Sequence, residues 1–181
     1  MKILIPLFFL LLVVPQDLFG QANTGFGLHF TANNYEVRDA ESKENFATSP
    51  AYGLSGDYQF ATARDFSVLV VTGEQVGQID NPEKADYDFY KTGFIGLEAR
   101  IWRKQFFLGG GLGQSFLTYI KSFEQYNGLQ WGNRMSISGG LELDTGLSSS
   151  FSLVKIDTFE FDDMKSQDIV GTRFTVGYRW K

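Results

Sequence analysis

The sequence has no cysteine, one histidine and only four prolines in 181 residues. Without cysteine there is no disulfide framework, no thiolate metal site and no cysteine for an N-terminal lipid anchor. Positive charge is in short supply too: 16 Lys and Arg stand against 21 Asp and Glu, for a net charge of −5 and a pI near 4.9. That balance argues against nucleic acid as a partner, because phosphate binding wants a basic face. Beyond the N-terminus no apolar run is long enough for a membrane helix. What is abundant is glycine, 20 residues, and aromatic side chains, 16%. With so few prolines, that composition points to strands and turns, in a length that suits one domain.

The N-terminus reads as a targeting segment. Met1-Lys2 is a short basic start, and Ile3 to Val14 is apolar except at Pro6. The run has the length of a signal-peptide core and is too short to span a bilayer as a helix. Gly20-Gln21-Ala22 offers small residues for cleavage after Ala22, with Gly20 as the other candidate. The expected organisation is a cleaved signal peptide, residues 1–22, followed by one exported domain, residues 23–181. A buried N-terminal helix is the alternative account of the same run.

The clearest periodicity lies at the end of the chain. From Val170 to Trp180, one face carries Val170, Thr172, Phe174, Val176, Tyr178 and Trp180. The other carries Gly171, Arg173, Thr175, Gly177 and Arg179. A period of two marks a β-strand. Seven more strands are expected upstream: 25–32, 51–60, 66–77, 90–102, 105–120, 131–143 and 149–159. Strand three is apolar on both sides through Val68 to Val71, so its facing stays open, as does that of strand seven. Asn33-Asn34 reads as a turn signal, and Arg103-Lys104 as a tight link. The connections alternate between long and short, which with an even strand number indicates periplasmic turns and longer external loops. The expected fold is all-β, an eight-stranded antiparallel up-and-down transmembrane β-barrel.

Charge and aromatic placement agree with that topology. Acidic residues concentrate in the long links or at their edges, among them Glu36, Glu74, Asp80, Glu83, Asp86, Asp88 and Asp168, and none is expected on a clearly apolar strand face. Phe60, Phe66, Trp102, Phe106, Phe151 and Trp180 map to the short-turn end, and Tyr35, Tyr52, Tyr90, Tyr119 and Trp131 to the long-loop end. Two aromatic bands with Leu, Ile and Val between them suit the two membrane interfaces.

On these features the chain resembles the small porin-family outer-membrane barrels of the OmpA/OmpX type. The likeness is one of pattern across residues 23–181 and is strongest in the terminal strand. It implies a location in a bacterial outer membrane, among outer-membrane lipids and lipopolysaccharide. It also implies insertion by the barrel-assembly machinery, with Phe174, Val176, Tyr178 and Trp180 as the signal that machinery reads. Lys181 departs from the family pattern, which ends on the aromatic.

An eight-stranded barrel is just wide enough for side chains to fill. The polar faces place His29, Asp57, Glu98, Arg100, Arg134, Glu142, Arg173 and Arg179 in its lumen. Charges there must pair or hydrogen-bond. A packed polar plug is the main reading, and a narrow pore for ions or small apolar solutes is the alternative. Pairing strand one with strand two is expected to put His29 near Gly53, with Ser55 and Asp57 on the same face, so that a Ser–His–Asp set is imaginable. The His-x-Ser-Asn pattern of lipid A deacylases is absent, and no oxyanion device is visible. The acidic links lack the spacing of a Ca²⁺ loop. No catalytic residues, cofactor or metal are therefore expected. The function read from sequence is a monomeric barrel with a structural or surface-interaction role. A secreted, lipocalin-like binding barrel is the soluble rival.

Overall fold

The computed structural model describes residues 25–39, 41, 50–63, 65–78, 89–121, 125–158 and 167–180. The expected signal peptide, most of the long links and Lys181 lie outside the described residues. Eight strands follow one another: β1 (Gly25–Asp39), β2 (Ala51–Ala63), β3 (Phe66–Gln78), β4 (Phe89–Arg103), β5 (Phe106–Lys121), β6 (Gln125–Glu142), β7 (Leu147–Thr158) and β8 (Gln167–Trp180). Each pairs antiparallel with its sequence neighbours, and β8 returns to β1 to close a barrel. The closing seam runs from Phe26↔Trp180 to Asp39↔Gln167.

Closure fixes the geometry. Followed from pair to pair, Leu28 leads through Gly56, Thr72, Ile95, Gln114, Asn133, Asp157 and Asp168 back to β1 at Arg38, a stagger of ten residues (38 − 28). With a rise of ~3.3 Å per residue and strands ~4.8 Å apart, that stagger tilts the strands by about 40°. Two irregularities relieve the register, at Gln59/Ala61 and at Leu117/Tyr119.

Alternation then sorts every side chain inward or outward. Outward positions form an apolar belt whose exposed members include Leu112 (67%), Leu108 (65%), Ile101 and Ile137 (64% each). Phe26, Phe30, Leu54, Leu153 and Phe174 extend the belt around the barrel. Apolar exposure on this scale is stable only against lipid. The same rule settles the two ambiguous strands. In β3, Ser67, Leu69, Val71 and Gln75 are buried inside; in β7, Ser148, Ser152, Val154 and Ile156 are.

Several sequence expectations give way. Asn33-Asn34 is not a turn: both residues pair with β8, at Arg173 and Thr172. β1, β6 and β8 run further towards the long links than their apolar periodicity indicates, because the sheet continues beyond the membrane where polar side chains are tolerated on both faces. The tight link after β4 is Lys104-Gln105, with Lys104 in the left-handed region at φ 58°. The link before β7 is tied by Gly146, whose N–H donates to the Leu143 carbonyl and whose φ of +95° favours glycine. Glu74 lies on the outward face, paired with Lys91. Glu36–Arg38 and Lys155–Asp157 are comparable outward pairs towards the long-link end.

The aromatic bands also change. Tyr35 and Tyr90 point inward and are fully buried. With Ala51, Leu117, Val154, Ile156 and Ile169 they form an apolar layer across the long-link end of the lumen. Trp102 turns in, donating its indole N–H to Ser67 Oγ at 2.8 Å. Phe151 pairs with Phe174 in mid-strand rather than at an interface. Phe66, Phe106 and Trp180 remain exposed at the short-turn end, and Tyr52 and Trp131 at the other.

The belt makes depth the determinant of tolerance. Ile137→Arg places a charge in mid-belt and is expected to destabilise the folded barrel by about 2–4 kcal/mol, against about 0–1 kcal/mol for Asn133→Arg near the long-link rim. Urea unfolding in lipid vesicles measures both, and equal losses would place the belt elsewhere.

Candidate functional site

Among the described residues the lumen concentrates charge out of water, and glycines organise it. Gly27 pairs with Asp57 on one side and Arg179 on the other. A residue without a side chain thus separates an acid from a base, and the two meet above it at 2.8 Å. That contact has ion-pair distance without hydrogen-bond alignment. Arg179 Nε also donates to Glu142 Oε2 at 2.9 Å, and His29 Nε2 lies 2.7 Å from Asp57 Oδ2. A Cβ on Gly27 would fall 2.6 Å from the His29 ring and 2.9 Å from the Asp57 carboxylate. The glycine is therefore part of the ion-pair site.

A second cluster lies between β4, β5 and β6. Arg100 Nε donates to Glu98 Oε1 at 2.7 Å, and Ser138 Oγ donates to the same oxygen at 3.0 Å. Across the sheet Arg100 faces Gly109 and Glu98 faces Gly111. Those glycines leave the space that two long side chains occupy. The Arg100 guanidinium also stacks 4.2 Å from the centre of the Phe107 ring, a favourable contact for a desolvated cation.

Arg134 and Arg173 form the third group. Their guanidinium carbons sit 4.2 Å and 5.1 Å from the centre of one ring, that of Phe94. Arg134 donates to Ser136 Oγ at 3.3 Å. Among the described residues neither arginine meets a carboxylate. Above them Gln75 Oε1 accepts from Tyr35 at 3.2 Å and from Thr92 at 3.4 Å, just under the apolar layer.

All eight side chains that alternation assigns to the lumen are buried, from 1% exposure at Arg134 to 9% at His29. Phe174, Val176, Tyr178 and Trp180 all face outward and are 41–50% exposed. Sequence reasoning passed over Phe94, Phe107, Ser138 and Ser148 as partners of these charges. Phe94 was within reach, since it shares a face with Glu98. Ser148 was not, because it reads as the end of the turn before strand seven, whereas β7 begins at Leu147.

Ser148 matters to the question of catalysis. His29 pairs with Ser55 rather than standing opposite Gly53, yet the hydroxyl that approaches its ring is that of Ser148, 3.4 Å from Nδ1. Ser148, His29 and Asp57 thus stand in the order of a hydrolytic triad. The adjoining cavity holds only about 30 Å³, space for one or two waters. Asp57 is shared with Arg179 as well. The trio links β7, β1 and β2 by side-chain contacts across the lumen. Among the described residues no group of three or more His, Asp or Glu is placed to hold a metal. The acidic group Asp80, Glu83, Asp86 and Asp88 lies outside them.

Comparison with known proteins separates sequence from shape. No protein-family model matches the chain, and no curated protein matches its sequence. Solved structures do match. The chain superposes on Ail, the attachment invasion locus protein of Yersinia pestis, with a TM-score of 0.57 at 13% identity, over 88% of this chain and 100% of that one. Another Ail structure, in complex with the heparin analogue sucrose octasulfate, gives 0.57 at 11% identity over 87% and 99%. A major outer membrane protein of Thermus thermophilus gives 0.56 at 12% identity over 87% and 99%. Neisserial surface protein A gives 0.53 at 9% identity over 84% and 96%. The fold is that of the small outer-membrane β-barrels.

Ion pairs so enclosed should be fragile to half-removal. Glu98→Ala leaves Arg100 buried without its acid and is expected to cost about 3–5 kcal/mol. Glu98→Ala combined with Arg100→Met should cost less than the single change, because no bare charge remains. Unfolding titrations of the two variants test this, and an unfolding midpoint of Glu98→Ala equal to wild type would show that the pair adds nothing to stability.

Proposed function

We propose that the chain is a monomeric integral protein of a bacterial outer membrane, with a closed lumen and no catalytic role. Its function is then structural or surface-directed, exercised through the long external links that the barrel holds in place. The observation that carries this reading is the construction of the lumen. An apolar layer of Tyr35, Tyr90, Leu117, Ile156 and Ile169 lies across one end, and interlocked ion pairs fill the other. Such an interior supports a plug rather than an ion path.

Outer-membrane lipids and lipopolysaccharide are the partners that suit the apolar belt and its charged upper rim. The outward row Phe174, Val176, Tyr178 and Trp180 suits recognition by the barrel-assembly machinery. A sulfated saccharide such as the heparin analogue sucrose octasulfate, found in complex with Ail, fits poorly here. The long links are acidic, and a polyanion would be repelled.

Two measurements test the reading. Expressed with its leader, the protein should fractionate with outer membranes and run faster on unheated than on heated gels. In planar bilayers the purified barrel should carry no steady current. Recovery as a soluble periplasmic protein would sink the membrane assignment, and a sustained conductance altered by Glu98→Ala would replace the plug with a pore.

A further inference from the structure

An outward acid, Glu74, stands within the apolar belt. It pairs with Leu54 on β2 and with Gly93 on β4, and the same row continues to Phe30 on one side and to Phe116 and Trp131 on the other. Two residues nearer the long-link end, Val76 and its partner Tyr52 are outward and exposed as well. Glu74 therefore has apolar neighbours beside it and above it, where an acid on the lipid face is costly. Lys91 Nζ makes an ion pair with Glu74 Oε1, and the two side chains are 32% and 52% exposed. That contact takes one N–H and one carboxylate oxygen, whereas an ammonium has three donors and a carboxylate two oxygens.

From Glu74 towards the short-turn end the outer face is hollow. A cavity of about 360 Å³ is lined there by Leu28, Leu54, Gly56, Thr72, Glu74 and Phe116, and Ser55, Gly73 and Phe94, intervening residues of β2, β3 and β4, complete it. That volume is in the range of ligand pockets, ~300 Å³ or more. Small residues form the floor. Gly56 pairs with Thr72, whose hydroxyl donates to the Phe94 carbonyl at 2.9 Å, so its hydrogen is bound within the sheet. Leu28 and Leu54 form one wall. Phe116 forms the other, laid over Gly93 where a Cβ would have no room and edge-on to Trp131 at 5.8 Å. The result is an apolar groove with a cation and an anion side by side at its head. We propose that this groove holds one acyl chain of a phosphatidylethanolamine-class lipid, whose phosphate meets Lys91 and whose ammonium meets Glu74. Charge selects the class. A headgroup bearing phosphate alone would set like charge against Glu74, whereas a zwitterionic headgroup pairs with both residues. The proposal rests on the lipid contacts of the preceding section and names the lipid.

The test uses the full-length folded barrel in detergent, incubated with an equimolar mixture of phosphatidylethanolamine, phosphatidylglycerol and lipid A and weighed intact by native mass spectrometry. The expected result is one retained phosphatidylethanolamine per barrel, in preference to the two anionic lipids. Glu74→Gln removes the charge that meets the ammonium and should weaken retention about tenfold, as loss of one charge-assisted contact implies. Gly56→Leu should weaken it by a similar factor from the other end. A Cβ at Gly56 meets only ordinary contacts, at 3.5 Å and 3.8 Å, so the barrel still closes and the added side chain fills the groove. Lys155→Gln, in an outward pair away from the groove, should leave retention unchanged. A shift between unheated and heated gels shows that each variant is folded. Equal retention of the three lipids, preference for an anionic one, or retention unchanged in either Glu74→Gln or Gly56→Leu overturns the proposal. A barrel that fractionates with outer membranes yet gives any of these results loses the lipid site alone, whereas recovery as a soluble protein removes the membrane assignment beneath it.

Discussion

Closure of the sheet is the constraint on which everything else rests. In hydrocarbon a strand has no water to satisfy its N–H and C=O groups, so every edge must be paired. Here the pairing of β1 with β8, from Phe26↔Trp180 upward, removes the last open edge. Once the ring is closed with a ten-residue stagger, each side chain has only two places to be, and a lumen of fixed, narrow bore must be filled. The lipid-facing belt and the charged interior are two consequences of that single requirement.

The interior is filled by matching long side chains with absent ones. Arginine and glutamate need space that an eight-stranded barrel does not freely offer, and glycine on the adjoining strand supplies it. Gly27 does this between Asp57 and Arg179, and Gly109 and Gly111 do it opposite Arg100 and Glu98. The charges are then held at ion-pair distance in a medium where a lone charge is costly. Phe107 and Phe94 complete the fit by presenting ring faces to guanidiniums. The long-link end follows a different rule, because Tyr35, Leu117, Ile156 and Ile169 pack there as an apolar group. Polar and apolar layers are thus stacked along one lumen.

Much of this was readable from alternation alone. Where a strand contrasts apolar with polar at every step, as from Phe174 to Trp180, its two faces are plain. The eight side chains that alternation assigns to the lumen are buried. The contrast fails where both faces are apolar, as in β3, or where serines serve on either side, as in β7. Ser148 was missed because it reads as part of the turn before strand seven, while β7 starts at Leu147. Asn33-Asn34 misled because a local turn preference lost to fourteen pairings along the closing seam. Tyr35 and Tyr90 misled because an aromatic at a strand end reads as an interfacial anchor, whereas parity turns both inward.

By itself the sequence determined the period of two, the order of long and short connections, and which residues share a face. Those properties are local: they depend only on neighbours along one strand. Which charges meet was decided by the tertiary structure. Asp57 reaches both Arg179 and His29, and Arg134 shares a ring with Arg173 rather than meeting an acid. Such pairings follow from the stagger and from the curvature that brings β8 back to β1. Both are properties of the closed ring, set by the sum of eight registers, and no single stretch of sequence carries them.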